Sequence, residues 1–99
     1  LARECVGLVG QPGTVEAGDV QLDAHWLGDD YAVPTAAGDA AVRWAARHGG
    51  WVLDRTYTGK GFAGLVGNAE AGRWPAGSDV IFIHTGGSPA VFAPGGAVL

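Results

Sequence analysis

Leu53-Asp54-Arg55-Thr56-Tyr57-Thr58-Gly59-Lys60-Gly61 decides how this chain is read, together with His84-Thr85-Gly86-Gly87 further along. Each segment is preceded by a short apolar run, Trp51-Val52-Leu53 in the first case and Val80-Ile81-Phe82-Ile83 in the second. Each then enters a hydroxyl- and glycine-rich turn that opens toward a helix. Short apolar runs bounded by turn residues read as buried strands, and strand, helix, strand makes a right-handed βαβ unit. In an open parallel sheet both turns would lie at the carboxyl edge, where ligands bind. The expectation is an α/β fold carrying half of a cofactor pocket at that edge.

Composition narrows the possibilities. At 99 residues the chain is at most one domain, and its apolar fraction of 47% is ordinary for a globular protein. No apolar run approaches the roughly 20 residues of a membrane span, and no signal-peptide pattern is visible. Nucleic acid is an unsuitable partner: the net charge is −4 and the basic residues are scattered, whereas phosphate backbones demand grouped Lys and Arg. The single Cys5 cannot form an internal disulfide, which suits a reducing cytoplasm, and it reads as a small half-buried side chain. A chain without Met that opens on Leu1 is expected to start inside a longer reading frame, as a single partial domain over residues 1–99.

Along the chain, Leu1 to Val9 reads as the tail of a helix stopped by Gly10, with a turn at Gln11-Pro12-Gly13. Alternation suggests a short strand near Asp19 to Leu22, and Ala24 to Pro34 reads as loop. Thr35 is placed to cap a helix running to His48, with Arg47 and His48 at its negative end and Gly49-Gly50 as its stop. From Gly59 to about Gly72, Phe62, Leu65, Val66 and Ala69 fall at i, i+3, i+4 and i+7. Gly61, Gly64 and Gly67 lie in that same helix at up to about 1 kcal/mol each relative to Ala, so close packing against the sheet is expected to offset them.

Several residues could carry chemistry, each with a plainer alternative. Thr58 and Thr85 could hydrogen-bond a heteroaromatic ring, or simply cap the next helix. Tyr57 could act as a general acid or base or orient a carboxylate, or sit at a core edge. Tyr31 is open to the same two readings, although an aromatic hydroxyl on a loop is a better functional candidate than one in a core. Lys60, the only lysine, could form a Schiff base only if desolvated, and a helix start usually leaves lysine exposed. Gly86-Gly87-Ser88 could cradle a phosphate, but no Gly-Lys-Thr pattern accompanies it. His25, His48 and His84 lack metal-ligand spacing, so no metal site is expected.

Taken together, Tyr31-Ala32-Val33-Pro34-Thr35, the Leu53–Lys60 stretch, Ala63-Gly64-Leu65 and Ile81 to Ala90 resemble the C-terminal end of the D-cysteine desulfhydrase and 1-aminocyclopropane-1-carboxylate deaminase family. These are pyridoxal-phosphate enzymes of the tryptophan-synthase-β-like fold (fold type II), so the resemblance implies the C-terminal part of the large domain, with its βαβ unit on a mainly parallel sheet. It implies that Tyr31 and Tyr57 face the substrate, that Thr85 hydrogen-bonds the pyridine nitrogen with Thr58 beside it, and that Gly86 belongs to a ring-side turn. Deaminases tend to have Glu after the tyrosine and Leu after the histidine. Thr at both positions tilts the chain toward β-elimination of D-cysteine-like amino acids to pyruvate, sulfide and ammonia, because a neutral hydroxyl leaves the ring a weaker electron sink.

The chain departs from the family pattern at Arg55-Thr56, where Pro-Val is usual, at Ala32, where glycine is usual, and at Pro94, where an aromatic is usual. The cofactor-anchoring lysine is expected to precede Leu1, so the chain alone is expected to be inactive. The implied whole enzyme is cytoplasmic and homodimeric, with a small amino acid as substrate and neither nucleic acid nor membrane as partner. Two alternatives stand beside it: deaminase-like activity, or a non-catalytic module that needs a partner chain.

Overall fold

The computed structural model describes residues 1–10, 13 and 15–96. Three α-helices follow one another, α1 (Ala2–Leu8), α2 (Ala36–Gly49) and α3 (Thr58–Glu70), with single 3-10 helices at Ala17–Asp19 and Ser88–Phe92. The turn expected at Gln11-Pro12 lies outside the described residues.

The fold is helical, and the α/β expectation is corrected. Among the described residues there is no strand, so neither the βαβ unit nor the parallel sheet forms. The two apolar runs do come side by side, but through side chains. The Val52 carbonyl accepts from His84 Nε2 at 2.9 Å, and Phe82 packs edge-on against Phe62 with ring centroids 5.2 Å apart. A ladder needs backbone amides and carbonyls facing each other repeatedly. Here the carbonyl that would start it is taken by an imidazole, and Trp51, Val52, Ile81 and Ile83 remain exposed. The strand expected near Asp19 is likewise replaced by the 3-10 turn, whose Asp19 carboxylate accepts the Glu16 amide at 2.8 Å.

The helical reading holds where caps were legible. Thr35 Oγ1 accepts the Gly38 amide at 3.0 Å, and Gly50 ends α2 at φ 67°. A left-handed residue there satisfies the last carbonyls, and only glycine adopts it without strain. The core lies between α2 and α3: Ala41, Val42 and Ala45 meet Leu53, Phe62 and Ala63, with Trp26 and Phe82 covering the edges. Burying Leu53 and Phe62 stabilises the pair by about 1.5–3 kcal/mol each.

Small residues let these helices touch. A Cβ at Gly59 would lie 2.6 Å from the Asp54 carbonyl and 2.7 Å from Val42, and one at Gly64 would press on Trp26 at 3.1 Å. A Cβ at Gly67 would run into the same indole. Gly59 therefore packs on α2 and Gly64 and Gly67 on Trp26, not on a sheet, while Gly61 makes ordinary contact with Phe82. By contrast, α1 buries none of its residues, and Cys5 is exposed, not half-buried.

Candidate functional site

The site starts from one buried carboxylate. Asp54 is fully buried, one turn before α3, and every hydrogen bond it makes serves the chain that follows. One oxygen accepts the amides of Thr56 and Tyr57, both at 2.8 Å. The other accepts the Thr58 amide at 2.9 Å and the Thr58 hydroxyl at 2.6 Å. The Asp54 amide donates to Thr58 Oγ1 at 2.9 Å, and its carbonyl accepts from Gly59 at 2.8 Å.

A negative charge at this end of a helix also complements the helix dipole. Burial pushes the Asp54 carboxyl up, but the Thr58 hydroxyl and the three amides outweigh it and hold the group below the usual carboxylate range. The network fixes the backbone of Thr56–Thr58 and thereby the start of the Tyr57 side chain.

Tyr57 is 56% exposed, and its hydroxyl is hydrogen-bonded to that of Tyr31, with the two rings tilted at 59° and centroids 5.9 Å apart. The hydrogen bond to Tyr31 raises the Tyr57 phenol above its ordinary range, with desolvation and the charges of Tyr31 and Asp54 acting in the same direction. The two tyrosines are thus brought together, although 26 residues separate them.

Tyr31 stands on the loop after Trp26, where the next residue, Ala32, has φ 59°. That is the left-handed region that favours glycine. The loop is tied to α3 by Lys60, whose Nζ donates to the Leu27 carbonyl at 2.5 Å and the Asp30 carbonyl at 3.4 Å. Lys60 is 5% exposed, so the expectation of a solvated amine at the helix start is corrected. A cleft of about 380 Å³ opens between loop and helix, with Tyr31, Tyr57 and Lys60 on its walls.

The second turn is built differently. His84 Nε2 faces a carbonyl and so carries the ring proton, while Nδ1 accepts from the Gly86 amide at 3.2 Å. Gly86 and Gly87 follow at φ 116° and 91°. Gly87 lies directly on Asp54, since a Cβ there would collide with the carboxylate. The two turns therefore meet at Asp54.

Of the residues singled out in the sequence, Tyr31 and Tyr57 pair directly. Gly86 is linked to them only as the neighbour of Gly87, which lies on Asp54. The buried Thr58 hydroxyl is spent on Asp54, whereas exposed Thr85 has no hydrogen-bond partner among the described residues. Sequence reasoning passed over Asp54 and misjudged Lys60. The Asp-x-x-x-Thr spacing of Asp54 and Thr58, a side chain bonding amides two to four residues on, was the available signal. No group of acidic, His or Cys side chains among the described residues could hold a metal.

No protein-family model matches the chain. Curated relatives do. The D-cysteine desulfhydrases of Salmonella typhi, Salmonella newport (strain SL254) and Salmonella heidelberg (strain SL476) are each 38% identical to it over 86 residues, 87% of this chain. The chain belongs to the D-cysteine desulfhydrase family. It spans 26% of the length of each of these relatives.

Proposed function

We propose that this chain forms part of a pyridoxal-phosphate-dependent lyase that eliminates the β-substituent of D-cysteine-like amino acids, releasing sulfide, pyruvate and ammonia. The observation that carries the reading is the Tyr31–Tyr57 hydroxyl pair, set over a cleft between the Tyr31 loop and the start of α3. Two hydroxyls sharing one hydrogen bond leave one O–H and several lone pairs for a ligand. With its phenol raised by the bond to Tyr31, Tyr57 keeps its proton at neutral pH and does not serve as a base, and the one free O–H of the pair is the donor open to substrate.

The donor set suits the cofactor in one respect. A pyridine nitrogen accepts a hydrogen bond, and Thr85 offers an uncommitted hydroxyl beside a glycine turn whose lack of side chains leaves room. Thr58 supports the site through Asp54, its own proton being engaged there. When bound, the cofactor would supply the electron sink for the carbanion formed at Cα. The residues of this chain would orient the substrate and shield it from water.

The Thr58 environment favours the desulfhydrase over the deaminase reading. A glutamate in its place would set a second carboxylate against buried Asp54, which costs heavily unless one is protonated. The test is to graft the chain's matching residues into the Salmonella typhi D-cysteine desulfhydrase and follow both reactions. Sulfide release from D-cysteine without ammonia release from 1-aminocyclopropane-1-carboxylate is expected. A cofactor-loaded chimera with the opposite preference contradicts the proposal.

A further inference from the structure

Lys60 is a buried ammonium with no carboxylate on it; the four ion pairs among the described residues involve other groups. Burying a charge is costly unless hydrogen bonds replace its water. Here the replacement comes from two main-chain carbonyls, Leu27 and Asp30, which bracket the loop segment leading to Tyr31. The same helix turn that carries Lys60 begins beside Tyr57, whose carbonyl accepts from the Gly61 amide at 2.9 Å. The loop has its own internal order as well: the Tyr31 amide donates to the Asp30 carboxylate at 2.7 Å. Nothing else described ties the Leu27–Tyr31 backbone to the start of α3 by a hydrogen bond.

We infer that Lys60 is a positioning residue, an ammonium latch that holds the Tyr31 loop on α3 so that the hydroxyls of Tyr31 and Tyr57 meet. Its role is to set the distance between two aromatic side chains on separate elements, without touching substrate itself. Arginine and methionine would act differently at this place. Arginine keeps the charge and several N–H donors, whereas methionine keeps the alkyl volume and offers none. As an account of how the site is assembled it rests on the desulfhydrase reading. Its test involves neither substrate nor cofactor, so the two can fail separately.

The chain contains two tyrosines, so every tyrosinate signal comes from this pair. Spectroscopic titration of the unaltered chain should show Tyr57 ionising above the ordinary phenol value of about 10. Asp54, the other titratable group acting on Tyr57, is unchanged in all variants. Lys60→Met, with its far-UV helix signal intact, should bring Tyr57 back to about that ordinary value. Lys60→Arg should keep the upward shift. The latch is refuted if the unaltered chain titrates as two ordinary phenols, if folded Lys60→Met keeps the shift, or if folded Lys60→Arg loses it as the Met variant does. Should Lys60→Met lose its helices, amine-reactive labelling of the unaltered chain decides. Lys60 protected in the folded chain but labelled in urea supports the latch, and equal labelling with and without urea overturns it.

Discussion

The Tyr57 turn and the Gly87 turn carry the same sequence pattern, an apolar run entering hydroxyl and glycine residues, yet they are different objects. The first is organised from within: Asp54 satisfies Thr56, Tyr57 and Thr58, and a 13-residue helix follows. The second is organised from outside. Its 3-10 helix of five residues has no side-chain cap, and its two glycines take left-handed backbone so that the chain can lie on the carboxylate of the first. A buried acid makes the difference. Where one is present, a turn becomes a rigid platform; where it is absent, the turn borrows order from a neighbour.

The comparison breaks most visibly at Asp54. Asp54→Ala should destabilise the chain by about 3 kcal/mol or more, since it removes a helix cap and strands buried donors together. Urea unfolding checks this, and a change under about 0.5 kcal/mol, the size expected of an ordinary surface substitution, would mean that the carboxylate does not organise the turn. Gly87→Ala should cost about 1–3 kcal/mol from left-handed strain, and more from collision with Asp54. Gly86→Ala, where a Cβ meets open space, should cost less. Equal losses at the two glycines would deny the contact between the turns.

Acid should act chiefly on the first turn. The Asp54 carboxyl is lowered in the folded chain, so its contribution is present above the unfolded value of about 3.9 and is lost as pH falls through the lower folded value. Asp39 behaves in the same direction through the Arg55 guanidinium, which holds it in two hydrogen bonds of 2.8 and 2.6 Å. Stability should therefore fall below about pH 4, and Asp54→Asn should flatten part of that fall. The smallest effect is expected at Ala32, where Ala32→Gly relieves a left-handed alanine at about 1–2 kcal/mol, partly offset by glycine's entropy. A net gain of a few tenths to 1 kcal/mol in thermal unfolding is the expected sum.

The helix pair was legible in the sequence because its signals are local. Thr35 and Gly50 mark the ends of α2, and the spacing of Phe62, Leu65 and Val66 marks the buried face of α3. Gly64 and Gly67 of α3 announced close packing, although the partner is not a sheet but Trp26, a loop residue that periodicity cannot reveal, and Gly61 makes only ordinary contact with Phe82. The strands were misread because an apolar run states only that a segment avoids water. Whether it forms a ladder depends on which groups its carbonyls meet, and Val52 meets His84. Lys60 was misplaced for a similar reason: its carbonyl partners are 30 and 33 residues away. No helix among the described residues is long and apolar enough to cross a membrane.

The paired tyrosines are the centre of the account, and kinetics of the grafted Salmonella typhi enzyme test them most directly. If the tyrosine pair donates to the substrate, Tyr57→Phe should lower kcat for sulfide release from D-cysteine by about a hundredfold or more, the usual scale for a lost acid or base. Tyr31→Phe should have a smaller effect, while cofactor absorbance stays unchanged in both. A Tyr57→Phe enzyme that releases sulfide at the parental rate would contradict the assignment.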